Sequence, residues 1–329
     1  MRSAPAVYAG GRRMRGGSAT SEAAAAGTGR GAPLASLGTY LELLLVTLIW
    51  GGGIVAIKVA SEGFAPLTAS ALRTGLASVA YVPLLAVLTR GAPRPQRGDL
   101  PAFVLLGLLG FFLFNVCYFA GLARSTATHG ALIWGANPVV TAAAAAVVLR
   151  ERVGTAVLAG AVVSTAGVAV IVLSSTRPAT AHGATLLGDL LLVGELLSWI
   201  GFSLVSRVVM RRFTPLQATG YACLAGFLML APMALLEGMT PTSLAAAPGR
   251  AWIAILYSGT ASVVLAYILW NRALLRLGAA RSALFSNLTP LWALLLAHLI
   301  ESETLAPVHA LAALLIIGGV LLATLRRTA

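Results

Sequence analysis

The sequence predicts an all-α polytopic membrane protein with ten transmembrane helices, arranged as two inverted five-helix repeats. Three observations support this fold class: an apolar composition, ten apolar windows of spanning length, and residues that recur at fixed intervals in the two halves. Of the 329 residues, 58% are hydrophobic and 10% are charged, and the mean hydropathy is +0.90. Soluble globular domains have about 25% charged residues, so this composition excludes that class.

The ten windows account for most of the chain. A membrane-spanning helix needs about 20 apolar residues, and Gly, Pro or charged residues separate the windows. They cover residues 40–59, 66–88, 100–121, 128–149, 155–174, 189–209, 216–236, 252–271, 282–300 and 305–325. Grouping them in fives predicts repeat 1 at 37–174 and repeat 2 at 189–325, joined by a linker at 175–188 that is rich in Thr, Pro, Ala and Gly.

Residues of similar type recur at matching places in the two halves. After an interval of 152 residues, Arg124, Pro138 and Glu151 are matched by Arg276, Pro290 and Glu303. After an interval of 149 residues, Trp50, Gly52, Lys58 and Pro66 are matched by Trp199, Gly201, Arg207 and Pro215. Internal duplication of a membrane-helix bundle is typical of transporters. Because each unit has an odd number of spans, the second must enter the membrane from the opposite side.

The distribution of the basic residues predicts the orientation. With a cytoplasmic N-terminus, that side carries 18 of the 23 Lys and Arg residues. The other side carries Lys58, Arg124, Arg177 and Arg250, and Arg73 lies within a span. The positive-inside rule then places both termini in the cytoplasm of a multi-pass cell-membrane protein. Topology thus explains the net charge of +13, and no basic face in a soluble domain favours nucleic acid as a partner.

The ends of the chain and its cysteines carry few signals. Residues 1–36 are predicted to be a disordered cytoplasmic arm, because 1–33 contain almost no large apolar side chain. Residues 326–329 form a short cytoplasmic tail. Cys117 and Cys223 fall in separate predicted spans without a metal-ligand spacing. We therefore expect no disulfide, no metal site and no cofactor.

The recurring residues resemble a known family. Trp50-Gly51-Gly52, followed by Lys58, Pro66 and Arg73, is similar to the first two helices of the EamA-like branch of the drug/metabolite transporter superfamily. Asn137-Pro138 with Glu151, and Thr289-Pro290 with Glu303, resemble the fourth and ninth helices of that family. The resemblance covers about residues 37–325. It implies ten helices in an inverted 5+5 arrangement around a central cavity, and export or exchange of small metabolites, often amino acids or related compounds.

The sequence departs from the pattern of distant relatives at one place. In the four-helix small multidrug resistance proteins, a proton-coupling glutamate stands eight residues before a lysine near the end of the first helix. That place is taken here by Trp50 relative to Lys58, and by Trp199 relative to Arg207. A multidrug antiport mechanism driven by a carboxylate at that position is therefore not supported.

Glu195 and Arg73 are the charged candidates for a substrate site. A charged carboxylate at mid-helix costs about 2.5–3.5 kcal/mol, so such residues usually face a bundle interior or a watery cavity. Glu195 is one turn before Trp199, so it could partly replace the missing carboxylate; the alternative is a neutral carboxyl that hydrogen-bonds a neighbouring helix. Arg73 could hold a substrate carboxylate, pair with Glu195, or extend toward water.

The polar and aromatic candidates have structural alternatives too. Trp50 and Trp199 occupy equivalent positions and could line the cavity or pack against lipid. Asn115 and Tyr118 share a helix face, and Asn137 and Asn287 lie close to Pro138 and Pro290, which are expected to kink their helices. These amides could bind substrate or satisfy the freed carbonyls. Lys58, Arg207, Glu151 and Glu303 suit helix ends, where a structural role is expected.

The leading interpretation is a secondary active transporter, an exporter or exchanger of small polar metabolites, that works by alternating access. A proton-coupled drug exporter is the alternative within the class, with protons as the coupling ion. The chain has no phosphate-binding motif for ATP. A membrane-embedded enzyme is disfavoured because the histidines are scattered and Asp occurs only at 99 and 189; a non-transporting scaffold is the remaining class. The bilayer and a small molecule are the expected partners, and the protein could be a monomer or a homodimer.

Overall fold

A computed structural model of the chain describes residues 32–174, 185–301 and 307–325. The first 31 residues of the predicted arm, most of the linker, Glu303 and the tail lie outside the described residues. Within those ranges the chain is helical, with no β-strand. The contacts reported below lie in the unit Thr39–Ala329.

The first half contains seven α-helices. Their bounds are α1 Ala32–Ala60, α2 Pro66–Leu88, α3 Leu100–Gly107, α4 Phe114–Leu122, α5 Ala127–Gly135, α6 Asn137–Val148 and α7 Thr155–Ser174. A π-helical segment, Leu108–Leu113, joins α3 to α4. The helix α1 begins inside the region predicted to be a disordered arm. Proline is tolerated in the first turn of a helix, so Pro33 does not prevent this start.

The second half contains eight α-helices. Their bounds are α8 Leu186–Val209, α9 Pro215–Leu236, α10 Pro241–Ala246, α11 Gly249–Tyr257, α12 Ala266–Leu277, α13 Ala279–Ser286, α14 Thr289–Glu301 and α15 Pro307–Leu325. A second π-helical segment, Ser258–Leu265, joins α11 to α12. The two halves therefore share a long helical stretch with a π-helical middle, followed by a pair of short helices.

The number of spans differs from the sequence prediction. In the described ranges, eight helices are long and apolar enough to cross a membrane, and nine if α5 and α6, bent by 41°, count as one span. The predicted window 282–300 is divided into α13 with 8 residues and α14 with 13. Neither reaches the length of about 20 residues that a span needs. Ten spans are therefore not confirmed.

The helix boundaries follow the internal repeat closely. Adding 152 to Ala127 and Asn137 gives Ala279 and Thr289, the first residues of α13 and α14. Adding 149 to Pro83, inside α2, gives Pro232 inside α9. Proline removes one helical hydrogen bond, so equivalent prolines interrupt the hydrogen bonding of equivalent helices.

Polar contacts show which helix ends share a face of the bundle. On the face that carries most of the arginines, called here the basic face, Glu42 near the start of α1 pairs with Arg272 at 2.8 Å and Arg276 at 3.2 Å near the end of α12. Arg212, after α8, pairs with Asp99, before α3, at 2.6 Å. Arg207, near the end of α8, donates to the carbonyl oxygen of Leu274 in α12. The start of α1 and the end of its repeat counterpart α8 thus both contact the last turns of α12 and lie on the same face.

The opposite face has its own contacts. Arg250 at the start of α11 pairs with Glu62 after α1 at 2.6 Å. Glu237, after α9, accepts hydrogen bonds from the first-turn N–H groups of Leu67 and Thr68 in α2, at 3.1 and 2.7 Å. A carboxylate is favourable at a helix N-terminus because it satisfies free N–H donors and the helix dipole.

The helices α7 and α15 cross so closely that one position excludes any side chain. A Cβ atom on Gly319 would lie 2.6 Å from the carbonyl oxygen of Gly160 and 2.7 Å from the amide nitrogen of Ser164. We expect Gly319→Ala to lower stability by about 1–3 kcal/mol, since the two backbones must separate. Thermal unfolding in detergent would measure this.

The neighbouring glycine provides a matched control for that variant. A Cβ atom on Gly318 would meet nothing within 4 Å. Gly318→Ala should therefore be neutral, or stabilising by up to about 1 kcal/mol, because alanine is the better helix former. Equal unfolding temperatures for the two variants would contradict the close crossing of α7 and α15.

Candidate functional site

A polar cluster in the bundle interior brings together Arg73 of α2 and Asn115 of α4. The Oδ1 atom of Asn115 accepts hydrogen bonds from Arg73 Nη2 at 2.8 Å and from Ser70 Oγ at 3.0 Å. The Nδ2 atom of Asn115 donates to the carbonyl oxygen of Phe111 at 2.5 Å. That carbonyl belongs to the first π-helical segment, where helical hydrogen bonding is irregular. The π segment thus fixes the amide that orients Arg73.

The Arg73 guanidinium has no acidic partner among the described residues. Its Nε atom is buried and makes no hydrogen bond there, and no carboxylate of those residues forms an ion pair with it. The side chain is only partly exposed. Desolvating a cation without a counter-ion is costly, so its donors are available for an anionic group that enters the bundle.

Glu195 of α8 is the second charged candidate in the interior. It is 6% exposed, and the described residues provide it with neither a hydrogen bond nor an ion pair. Tyr118 lies within electrostatic range of both Glu195 and Arg73. Arg73 and Glu195 do not pair with each other, so the expected alternative of a direct ion pair between them is not found in this conformation.

An aromatic cluster lies next to the polar one. The ring of Trp50 packs against the rings of Trp199 and Trp270, each at 5.3 Å between centroids, and against Tyr267 at 5.9 Å. Trp199, which is 3% exposed, also contacts Trp134 at 6.1 Å. Both predicted tryptophans thus face the interior of the bundle, where the first helices of the two halves meet.

Aromatic hydroxyl and indole groups satisfy the carbonyl oxygens of the π-helical segments. Tyr81 donates to the carbonyl oxygens of Val263 and Val264 at 2.9 and 3.2 Å. Trp50 Nε1 donates to that of Ser262 at 3.2 Å. These donors lie in the first half and their acceptors in the second. The reverse contact also occurs, from Tyr267 to the carbonyl oxygen of Gly110 at 3.3 Å.

Sequence reasoning missed four of these aromatic residues: Tyr81, Trp134, Tyr267 and Trp270. The register of the repeat points to two of them, since adding 152 to Asn115 and Tyr118 gives Tyr267 and Trp270. A comparison by position rather than by residue identity would therefore have found both. Tyr81 carries no such signal, because its role depends on a carbonyl 182 residues away in the chain.

The asparagines near the helix breaks lie elsewhere. Asn137 Nδ2 donates to Ser286 Oγ at 3.0 Å, and Asn287 Nδ2 donates to the carbonyl oxygen of Gly135 at 3.3 Å and to Ser164 Oγ at 3.1 Å. Both side chains are fully buried. They join the broken helix pairs α5–α6 and α13–α14, and the structure does not bring them into contact with Arg73 or Glu195. Pro138 and Pro290 each stand second in the helix after the break.

Glu151 joins three helices at the basic face. Its carboxylate pairs with Arg207 Nε of α8 at 2.9 Å and accepts from the N–H groups of Ala279 and Ala280 at 3.2 and 3.5 Å. Gly278 precedes these N–H groups with a φ of +90°, a conformation that favours glycine. A structural role at a helix end was expected for Glu151, and its carboxylate caps α13 of the second half, not α7, which follows it in the sequence.

A cluster of Ser125, His129 and Asp189 lies at the opposite face and bears on the enzyme alternative. The Asp189 carboxylate accepts a hydrogen bond from Ser125 Oγ and lies 3.0 Å from His129 Nδ1. Nucleophilic catalysis needs the hydroxyl to bond the imidazole, which acts as its base. Here both groups bond the carboxylate, so the cluster ties α5 to α8 without forming a nucleophile and base.

No metal or disulfide site appears in the described ranges. No group of three His, Cys, Asp or Glu side chains there could hold a metal ion, and Cys117 and Cys223 are free. Cys223 Sγ lies 3.5 Å from Ser78 Oγ. It behaves as a small packing residue.

The fold and its interior thus define a helical membrane protein made of two similar units, with a polar site enclosed between apolar helices. A model of the EamA-like transporter family matches residues 37–173 and 186–325. The chain belongs to that family. The resemblance drawn from Trp50, Pro138, Glu151 and their counterparts is therefore confirmed.

Several proteins named as transporters or exporters are similar to this chain at low sequence identity. The chain is 28% identical over 289 residues to an uncharacterized transporter, YyaM, of Bacillus subtilis (strain 168), covering 88% of this chain and 94% of that protein. It is 29% identical over 288 residues to a probable terminal-alkyne amino-acid exporter of Streptantibioticus cattleyicolor, covering 87% and 93%. It is 32% identical over 216 residues to an S-adenosylmethionine/S-adenosylhomocysteine transporter of Chlamydia trachomatis serovar L2, covering 64% and 65%.

A solved structure has the same fold. One crystal structure aligns with a TM-score of 0.73 at 22% sequence identity, covering 88% of this chain and 98% of the other. At that identity the likeness supports the fold alone.

Proposed function

We propose that this protein is a secondary active transporter that exports or exchanges small polar metabolites, such as amino acids or related compounds, by alternating access. The observation that carries the proposal is that Arg73 and Glu195 are two charged side chains of opposite sign inside the bundle, each without a charged partner in the part of the chain that the structure describes. Each is enclosed in the bundle without an ionic partner among the described residues, and α4, whose Asn115 binds Arg73, packs against α8, which carries Glu195. A zwitterion would complement them, with its carboxylate at Arg73 and its ammonium group at Glu195.

The names of two relatives favour the same substrate class. One is named as an amino-acid exporter and the other as a transporter of S-adenosylmethionine and S-adenosylhomocysteine. The aromatic cluster beside the polar residues adds a surface suited to apolar or cationic side groups, because aromatic faces attract cations. Trp50, Arg73, Asn115, Tyr118, Glu195 and Trp199 are the residues that we assign to this cavity.

The bundle is proposed to cross the cell membrane ten times, as two inverted units. The pairs α5–α6 and α13–α14 are then the two fourth spans, each broken before its proline. The shared face of the start of α1 and the end of α8 supports the inversion. Trp199 follows Glu195 by four residues, about 6 Å along α8 toward the basic face. In this conformation the aromatic cluster and the Glu151–Arg207 pair stand between the polar site and the basic face, and both have to open for the site to face that side.

Reporter fusions test the proposed topology. A reporter placed in the 175–188 linker should be outside the cytoplasm, and one placed after Arg327 should be inside. The reason is the strong excess of Lys and Arg on the basic face, which is retained in the cytoplasm. A C-terminal reporter found outside would contradict both the orientation and the ten-span inverted arrangement.

Counterflow in sealed vesicles tests the proposed function. Proteoliposomes loaded with a mixture of unlabelled amino acids should accumulate a labelled amino acid from outside faster than unloaded ones. An exchanger or exporter moves substrate in both directions through one site, whereas a non-transporting scaffold or an enzyme does not. If neither the mixture nor a cell extract as the loaded pool supports accumulation, the transport proposal fails.

A proton-coupled drug exporter is the second candidate, favoured by the carboxyl group of Glu195 next to the aromatic cluster. Such a protein would use protons as the coupling ion and accept apolar cations. This proposal gives the protein no enzymatic activity and no nucleic-acid partner. The transporter would act as a monomer or a homodimer.

A further inference from the structure

A groove at the basic face has features that the transport site does not explain. It lies between the end of α2, the start of α9 and the last turns of α12, with a volume of about 420 Å³. The lining residues that matter here are Leu88, Leu216, Ile268, Arg272, Leu275 and Arg276. The four from α12 are spaced by four, three and one residues, so they share one face of that helix.

The groove changes from apolar to cationic along α12. Ile268 lies deepest in the span, and Arg276 follows it by eight residues, about 12 Å along the helix. The apolar wall is open to the bilayer, since Leu88 is 66% exposed. At the other end, the side chains of Arg272 and Arg276 are 43% and 47% exposed.

The cationic end of the groove keeps a net positive charge after Arg272 and Arg276 pair with Glu42. Both arginines contact the same Glu42 oxygen, and Arg276 Nη1 also bonds Thr39 Oγ1 at 3.3 Å. Two cations share one carboxylate, which leaves one positive charge. Each guanidinium has five N–H donors, and the described contacts use one nitrogen of each.

We propose that this groove binds one anionic phospholipid. Its phosphate lies at Arg272 and Arg276, and one acyl chain follows Leu216 and Ile268 toward the middle of the bilayer. Basic pockets between membrane helices bind anionic lipid headgroups through their cations. The apolar wall distinguishes this occupant from a soluble phosphate, because only a lipid brings an acyl chain to it.

The test compares lipids on the purified full-length protein. Phosphatidylglycerol should raise the unfolding temperature more than phosphatidylcholine does, and native mass spectrometry should retain phosphatidylglycerol preferentially. Leu275→Glu places an anion in the groove without removing the Arg–Glu42 contacts, so the retained phosphatidylglycerol should fall by about tenfold, from repulsion of the phosphate. Val148→Glu is the matched control, since Val148 is also exposed at a helix end on the basic face but outside the groove.

The outcomes separate the occupants. Equal effects of the two lipids, or equal retention by the Leu275→Glu and Val148→Glu variants, would overturn the proposal. Glycerol 3-phosphate provides the soluble arm. If it stabilises the protein as much as phosphatidylglycerol does, the site takes a soluble anion and the lipid assignment is wrong. Should Leu275→Glu fail to fold, the Arg272→Gln variant, which leaves Glu42 paired with Arg276, is read in the same way.

Discussion

The Arg73→Gln variant is expected to fold normally and to lose transport of substrates that carry a carboxylate. Glutamine can still donate a hydrogen bond to Asn115, but it brings no positive charge. A hydrogen bond to a charged group contributes about 1.5–3 kcal/mol, which corresponds to a loss of about 10- to 150-fold in apparent affinity. Competition between labelled and unlabelled amino acids in proteoliposomes measures this change.

The control and the stability readout separate a binding role from a structural one. Arg250→Gln is the control. It removes an arginine that is 69% exposed and pairs with Glu62, just after α1, so transport should be unchanged. Because Arg73 has no ionic partner in the described residues, removing its charge should not lower the unfolding temperature. A lower unfolding temperature with unchanged apparent affinity would show that Arg73 stabilises the bundle instead.

The sequence predicted the internal repeat well, because the repeat depends on local signals. Equivalent prolines and arginines stand at fixed intervals, and the ion pairs then join helix ends in the expected combinations, as for Glu42 with Arg272. Pro138 and Pro290 were expected to kink their helices, and the structure has a helix break near each of them, between α5 and α6 and between α13 and α14. The break comes within three residues before each proline, which stands second in the next helix. Proline has no N–H to continue the preceding helix, and its ring clashes with the carbonyl group four residues earlier.

The π-helical segments could not be predicted. Leu108–Leu113 is a continuous apolar run, and hydrophobicity alone does not distinguish an α-helix from a π-helix. These segments are satisfied by donors from the other half, such as Tyr81 and Tyr267. The same limit applies to Glu151, whose partners Arg207 and Ala279 come from distant parts of the chain. Spacing in the sequence reveals a suitable residue type, whereas its partner depends on how the two halves pack.

The candidate site was predicted in part for the same reason. Charge inside a span identified Arg73 and Glu195, and the repeat identified Trp50 and Trp199. The sequence left open whether the asparagines face substrate or backbone. Asn287 bonds the carbonyl oxygen of Gly135, just before the break between α5 and α6, so at least one of its donors is used by the backbone.

The Glu195→Gln variant is expected to lose accumulation driven by a pH gradient while keeping substrate exchange. Glutamine preserves the size of the side chain and much of its hydrogen-bonding capacity, but it cannot carry a proton. Glu195 is enclosed without a hydrogen-bond partner in the described residues, and keeping a charge there costs about 2.5–3.5 kcal/mol. A carboxylate in that position is stabilised when it binds a proton or a cationic group of the substrate, and it can bind the two alternately.

The experiment uses two assays on the same vesicles. Accumulation against a gradient at an imposed pH difference reports coupling, and exchange at equal pH reports the binding site. Glu62→Gln is the matched control, since Glu62 is a carboxyl group 40% exposed at the end of α1, and it should change neither assay. If Glu195→Gln keeps pH-driven accumulation, the coupling role is wrong, and facilitated exchange through an uncoupled cavity becomes the better account. If both assays fail in a variant that unfolds at the normal temperature, Glu195 binds substrate in every step of the cycle, because exchange requires the site but no proton.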